Sequence, residues 1–309
     1  MNTSDGTWDF DEIDWNLNYS FLKAPHLADF NFCLFYETEI VLNTANQGGK
    51  NFTDIFVNDI MYAAANYFVN PSYLHVSGKP VLFIYNLPYL YQNMTASKVK
   101  ELFDTVREHL ANMSLNVYLV GDVGPGPSPN DINWDWLYSM DAVTNYFFAH
   151  HLASLGWENI TYYAETCYPE WRSEMDSKEI KFIPNAYPGF DNTEYCNYSN
   201  RSSESLVLPL NETMFREMLD NAMSNMDDDL KMIIITSWNE WLESTAIEPS
   251  MEFGELFLHT IYLIPEFPSA LILLLFMMLP AVVVVFVKEK HSKKTRQGLN
   301  PKPSKRKRR

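Results

Sequence analysis

Six short apolar runs, at 30–36, 81–85, 117–120, 142–146, 182–186 and 232–237, alternate with helix-like stretches near 53–69, 96–112, 160–177 and 211–225. No other feature constrains the fold as tightly. Runs of this length suit buried strands, and strands that alternate with helices form parallel sheets joined by crossovers. The stretch at 96–112 shows the helical pattern cleanly, with Val99, Leu102, Phe103, Val106 and Leu110 on one face. The chain therefore reads as α/β, with six strands where a complete (β/α)8 barrel needs eight.

Charge divides the chain sharply. Its net charge is -16, yet eleven Lys/Arg and a single acid, Glu289, lie from Lys288 onward. Residues 1–287 then hold twelve basic and thirty-eight acidic side chains. A body so acidic repels nucleic acid, which is excluded as a partner. Residues 268–287 are twenty positions without a charge. With a basic tail behind them they predict one transmembrane helix, kinked at Pro280, with the tail on the cytoplasmic side. Residues 1–267 would face outward as the extracellular part of a single-pass cell-membrane protein. Sequons at Asn2, Asn18, Asn51, Asn93, Asn112, Asn159, Asn197, Asn200 and Asn211 agree with an exported glycoprotein. The first fifteen residues lack the basic start and apolar core of a signal peptide, so the reading frame is expected to start late. Three cysteines, Cys33, Cys167 and Cys196, make no disulfide scaffold and no zinc spacing; pairing of Cys167 with Cys196 stays open.

Chemistry gathers where the strands end. Glu37 and Glu39 follow the first run, Tyr85 and Asn86 the second and Asp122 the third. Tyr146, His150 and His151 follow the fourth, and Tyr187 to Asp191 the fifth. The sixth, Ile233–Ile235, leads into Trp238, Asn239, Glu240, Trp241, Glu243 and Glu248. Paired carboxylates perform acid/base work on glycosidic bonds, and tryptophan faces stack on sugar rings. Acids and aromatics at successive strand ends are what the mouth of a sugar-binding barrel presents.

The segment SWNEWLESTAIEP resembles the SWNEWxEGTxxEP signature of the glycoside hydrolase family 99-like, or WbsX-like, proteins. FNFCLFYET, GKPVLFIYNLPYL, MDAVTNYFF and KFIPNAYPGFDNT are similar, in order, to further segments of that family, over roughly residues 20–250. The resemblance implies a (β/α)8 TIM-type barrel whose strands three to eight are the six runs, so that the first two strands are lacking. It also implies a retaining glycoside hydrolase of endo-α-mannosidase type acting on an oligo- or polysaccharide. Glu240 is then the base that deprotonates the sugar 2-hydroxyl, giving a 1,2-anhydro sugar, and Glu243 the acid/base. Glu37 would help to hold the sugar and Trp238 and Trp241 would wall the pocket. From their places after the strands, Tyr85, Asp122, Tyr146, Asp191, Asn239 and Glu248 are expected to complete the substrate site. No metal or organic cofactor is implied. Ser244 departs from the family's usual Gly, at a place where a side chain tolerates positive φ poorly.

Residues 264–269, IPEFPS, are similar to the PEF-type sorting segment of archaeal surface proteins, which implies a sorting protease at Pro265, Glu266 and Phe267. The expected organisation is a barrel domain at 1–262, a sorting motif and transmembrane helix at 263–287, and a basic cytoplasmic tail at 288–309. Two other functions stand beside hydrolysis: a WbsX-like glycosyltransferase of surface polysaccharide, and a non-catalytic surface protein that binds glycans.

Overall fold

The computed structural model describes residues 10–123, 129, 134–146, 156–198 and 205–262, and the backbone of Ile272–Met277 and Val282–Val287. His150, His151, Asn2, Asn200, the 265–267 motif and the basic tail lie outside the described residues.

Each expected apolar run forms a strand. β1 (Asn31–Tyr36) pairs in parallel with β3 (Lys79–Ile84), and a short β2 (His75–Val76) folds back antiparallel on β3. β4 (Tyr118–Asp122), β5 (Ala142–Thr144) and β6 (Lys181–Ile183) continue the sheet in parallel. The fifth run is split, because Pro184 has no N–H to give the ladder: β6 ends before it and β7 (Asn185–Ala186) resumes after it. β7 pairs in parallel with β10 (Met232–Thr236), so β6 and β7 join the two ends of the strand order and close the sheet on itself. The strands are apolar on both faces, as parallel strands packed under helices must be.

The helices cover the outside. α1 is Phe10–Tyr19, α2 Thr38–Gln47, α3 Phe52–Asn66, α4 Leu87–Asn93 and α5 Ala96–Asn112. α6 is Trp157–Ser177, α7 Thr193–Tyr198, α8 Glu212–Ser224 and α9 Leu256–Tyr262. α5 buries the five apolar residues that its spacing singles out. Its start is set by Thr95, whose hydroxyl accepts the Lys98 amide, and α3 and α8 begin likewise at Asn51 and Asn211. A small hairpin, β8 (Phe190–Asp191) with β9 (Val207–Leu208), lies between β7 and α8.

Where a transmembrane helix was expected, the described residues form strands. Within 268–287 the backbone makes β11 (Ile272–Met277), parallel to β10, and β12 (Val282–Val287), antiparallel to both β11 and β1. Among the described residues no helix is long and apolar enough to cross a membrane. The physical reason lies in both partners of the pairing. A run of β-branched valines favours extended backbone, and β1 and β10 without β11 and β12 would each present an open hydrogen-bonding edge. The same two strands fill the gap where two strands were expected to be lacking. The cysteines also resolve: Cys33, Cys167 and Cys196 are all buried free thiols.

Candidate functional site

Because β1, β3, β4, β5, β7 and β10 run the same way, the residues that follow them meet at one end of the barrel. Side-chain alternation along β1 decides which of its residues enter. Phe35 meets Phe83, Tyr85 and Tyr146 in the interior, with ring centroids 5.9, 5.5 and 5.3 Å away. Tyr36 points out to α3, where its hydroxyl donates to Asp59 at 2.7 Å. Glu37 therefore turns inward again.

Asp122, at the end of β4, is fully buried and acts as a junction. Its Oδ1 accepts the Tyr146 amide at 3.1 Å and its Oδ2 the Asn86 amide at 3.1 Å, so it ties three strand ends together. Asn86 sits in the left-handed region, which asparagine tolerates, and its side-chain amide donates to Glu39 at 3.0 Å. Gly121 lets α4 settle on β4, since a Cβ there would stand 2.8 Å from a Leu87 methyl. Glu37 lies among these groups with its Oε1 shielded from solvent and without a hydrogen-bond partner. Burial, then the charges of Glu39 and Asp122, push its carboxyl up to about 8.

Across the mouth, the loop after β10 folds on itself. The Ser237 amide donates to the Thr245 carbonyl at 2.9 Å, and the Ile247 amide returns to Ser237 at 3.0 Å. The Thr236–Ser237 peptide is cis. Glu240 is held by its own backbone, whose N–H donates to Ser237 Oγ at 3.2 Å, and its Oε1 accepts the Leu242 amide at 3.1 Å. Burial raises the Glu240 carboxyl, while the amides of Leu242 and Glu243 act to lower it. Glu243 receives no such help: burial and the Glu240 charge push it up to about 7. Two glutamates three residues apart thus have distinct environments, one hydrogen-bonded in its charged form and one held towards its neutral form. Ser244 adopts φ 52°, so the loop keeps the left-handed turn that a glycine would favour.

The two sides are electrically connected. Burial holds the Tyr85 hydroxyl well above the usual tyrosine range, with Asp122, Glu37, Glu243 and Glu39 adding to it. Burial does the same at Tyr146, helped by Glu243, Tyr85, Glu240 and Asp122. Glu37, Tyr85, Asp122, Tyr146, Glu240 and Glu243 therefore form one cluster.

The remaining expected residues are placed differently. Trp238 is half-buried against the core, but Trp241 is 50% exposed, with its indole N–H donating to Glu248 at 3.2 Å. Trp241 is thus an exposed ring next to the glutamate pair. Glu248 serves to fix that ring. Asn239 is half-buried, and its carbonyl accepts the Trp241 amide at 3.1 Å. Asp191 Oδ1 accepts the Thr193 amide at 2.9 Å in a turn just ahead of α7. Its own amide donates to the Glu243 carbonyl at 2.8 Å, which ties the β8–β9 hairpin to the glutamate loop. Sequence reading missed Asn185. Its amide nitrogen donates to the Tyr146 carbonyl at 2.8 Å and its Oδ1 accepts the Thr236 hydroxyl at 3.0 Å, which clamps the ends of β5, β7 and β10 beneath the glutamates. Only its position after Pro184, in an otherwise apolar run, could have signalled it. Among the described residues no group of three or more His, Cys, Asp or Glu could hold a metal ion.

Solved structures share the fold. A "Glycoside hydrolase-like protein" aligns at 19% identity with a TM-score of 0.59, over 79% of this chain and 70% of that one. A GH99 endo-alpha-mannosidase from Bacteroides thetaiotaomicron, in complex with BIS-TRIS-propane, aligns at 19% identity and a TM-score of 0.50, over 72% and 71%. No curated protein matches in sequence. The model of one family covers residues 37–261, from the first mouth glutamate to the last described helix, and the chain belongs to that family, Glycosyltransferase WbsX.

Proposed function

We propose that the protein is a retaining glycoside hydrolase that cleaves an α-mannoside-type linkage in a surface or environmental glycan. The single observation that carries this reading is the unequal pair after β10. Glu240 accepts the Leu242 amide and so is suited to act as the base, while Glu243, pushed up to about 7, keeps a proton to give. Glu240 takes the proton of the sugar 2-hydroxyl, whose oxygen attacks the anomeric carbon as the glycosidic bond breaks. Glu243 protonates the leaving oxygen. The resulting 1,2-anhydro sugar is opened by water that Glu243, now a carboxylate, deprotonates, and Glu240 returns its proton to the 2-oxygen. Tyr85 and Tyr146 line the space between the pair and Glu37, and Trp241 offers an exposed face to the glycan.

The second reading, transfer from a nucleotide sugar, is favoured by the family's description. The charges around the cluster weigh against it. A diphosphate is held by Arg, Lys, a metal or a helix N-terminus, and the charges acting on Glu37, Tyr85, Tyr146 and Glu243 are carboxyls. Four described cations pair instead at the opposite end: Lys79 and Arg107 with Asp141, at 3.0 and 2.9 Å, and Lys181 and Arg172 with Asp227, at 3.0 and 3.6 Å. An outward-facing location goes with hydrolysis, and its support is that five of the seven described sequon asparagines, Asn51, Asn93, Asn112, Asn159 and Asn197, are exposed, while Asn18 and Asn211 are half-buried.

The test offers the protein α-mannosides and α-glucosides without a nucleotide-sugar donor. Release of a reducing sugar by the wild type, lowered about 10²–10⁴-fold by Glu243→Gln, supports hydrolysis. Product that forms only when a nucleotide sugar is added establishes transfer in its place.

A further inference from the structure

We propose that Glu37 works in the barrel mouth as a neutral hydrogen-bond donor to the bound sugar, not as a carboxylate that accepts from it; the role rests on the glycan-acting reading above. The geometry supplies the reason. Donors near Glu37 are already spent on its neighbours. Asp122 takes the amides of Tyr146 and Asn86, one on each oxygen, and Glu39 takes the Asn86 side chain. The Glu39 amide is the one group that favours the charged form of Glu37, and Oε1 is left buried with no partner.

The groups that face it from the surrounding elements are Glu39 on α2, Asp122 at the end of β4 and Tyr85 beyond β3, with Glu243 across the mouth acting on the same Tyr85. The tyrosine next in sequence, Tyr36, is turned away to Asp59. A negative charge on Glu37 would add a third carboxylate to a desolvated cluster, and a bound proton removes that cost. The burial and repulsion that push the carboxyl up to about 8 act in the same direction. A protonated Glu37 then has an O–H to give beside two acids that only accept, next to a Tyr85 that keeps its own hydroxyl proton. A sugar hydroxyl, which accepts as readily as it donates, completes it. Glu37 is thus a positioning residue whose proton is separate from the one Glu243 transfers.

Two measurements decide it. First, the infrared spectrum of the ligand-free protein at pH 7 contains the C=O stretch of a protonated carboxyl that is absent from Glu37→Gln and that titrates away near pH 8. If the difference spectrum at pH 7 shows only a carboxylate, the proposal fails, whether or not the protein hydrolyses anything. Second, with a cleaved α-mannoside, Glu37→Ala raises KM about 10- to 100-fold at pH 7, whereas Glu37→Gln, which retains a neutral donor, raises it severalfold. Wild-type KM rises towards tenfold per pH unit above 8 and that of Glu37→Gln does not, so the variant overtakes the wild type at about pH 8.5 to 9. Glu37→Gln as impaired as Glu37→Ala at every pH, or a wild type that binds better as pH rises, would overturn it. Failure of all hydrolysis defeats the proposed reaction, and the infrared measurement still judges the proton.

Discussion

At the scale of single residues, the mouth keeps its acids at a cost in stability. Glu37 and Glu243 have ordinary values of 4.5 and folded values of about 8 and about 7. Between pH 4.5 and these values the folded chain binds more protons than the unfolded one, so stability falls as pH rises through that window. Glu37→Gln should therefore raise the Tm by about 2–8 °C at pH 8, an effect of about 1–3 kcal/mol, and by almost nothing at pH 4.5. A melt that gains equally at both pH values would show that charge is not the cause. Ser244 carries a different cost, since a side chain at φ 52° is strained. Ser244→Gly should stabilise the fold by about 0.5–1 kcal/mol in urea titration, and a loss of stability would mean that the Ser244 side chain makes a compensating contact.

At the scale of elements, the six runs and four helical stretches were legible because their periods are those of buried strands and amphipathic helices. α5 appears at the expected residues, and the other three helices differ by a few residues at their ends. The turn that Asp191 closes was not legible: an acid after a strand reads the same whether it holds a local amide or faces a ligand. Nor was Trp241, because periodicity does not say which side of an irregular loop is wet. The 268–287 segment misled for another reason. Apolar, β-branched residues satisfy a bilayer or a sheet edge equally, and composition cannot tell which partner is present. Backbone register makes the distinction measurable, because Val283 lies opposite Cys33 in the β1–β12 ladder. With Cys167 and Cys196 replaced by Ala, Val283→Cys should form a disulfide with Cys33 on mild oxidation, as residues paired across antiparallel strands have Cα atoms about 4.5–5.5 Å apart. Absence of that bond in membrane-bound protein, with the segment shielded by lipid, would show that the residues span a bilayer instead.

At the scale of the whole molecule, charge is sorted along the barrel axis. Ion pairs between Lys79, Arg107 and Asp141, and between Lys181, Arg172 and Asp227, lie at the end where the strands begin. Carboxyl groups gather at the end where the strands finish. That polarity suits a neutral sugar better than an anionic donor. The separate roles of the two glutamates were already implied by the family resemblance; the structure adds their unequal environments, one amide that reaches Glu240 and none of the same kind that relieves Glu243.

That division is tested most directly by comparing two substrates, an α-mannosyl glycan and the corresponding α-mannosyl fluoride, whose leaving group departs without a proton. If Glu243 is the acid, Glu243→Gln lowers kcat/KM for the glycan about 10²–10⁴-fold and for the fluoride much less, whereas Glu240→Gln lowers both alike. Equal losses on both substrates for Glu243→Gln, or a fluoride spared by Glu240→Gln, would contradict the assignment.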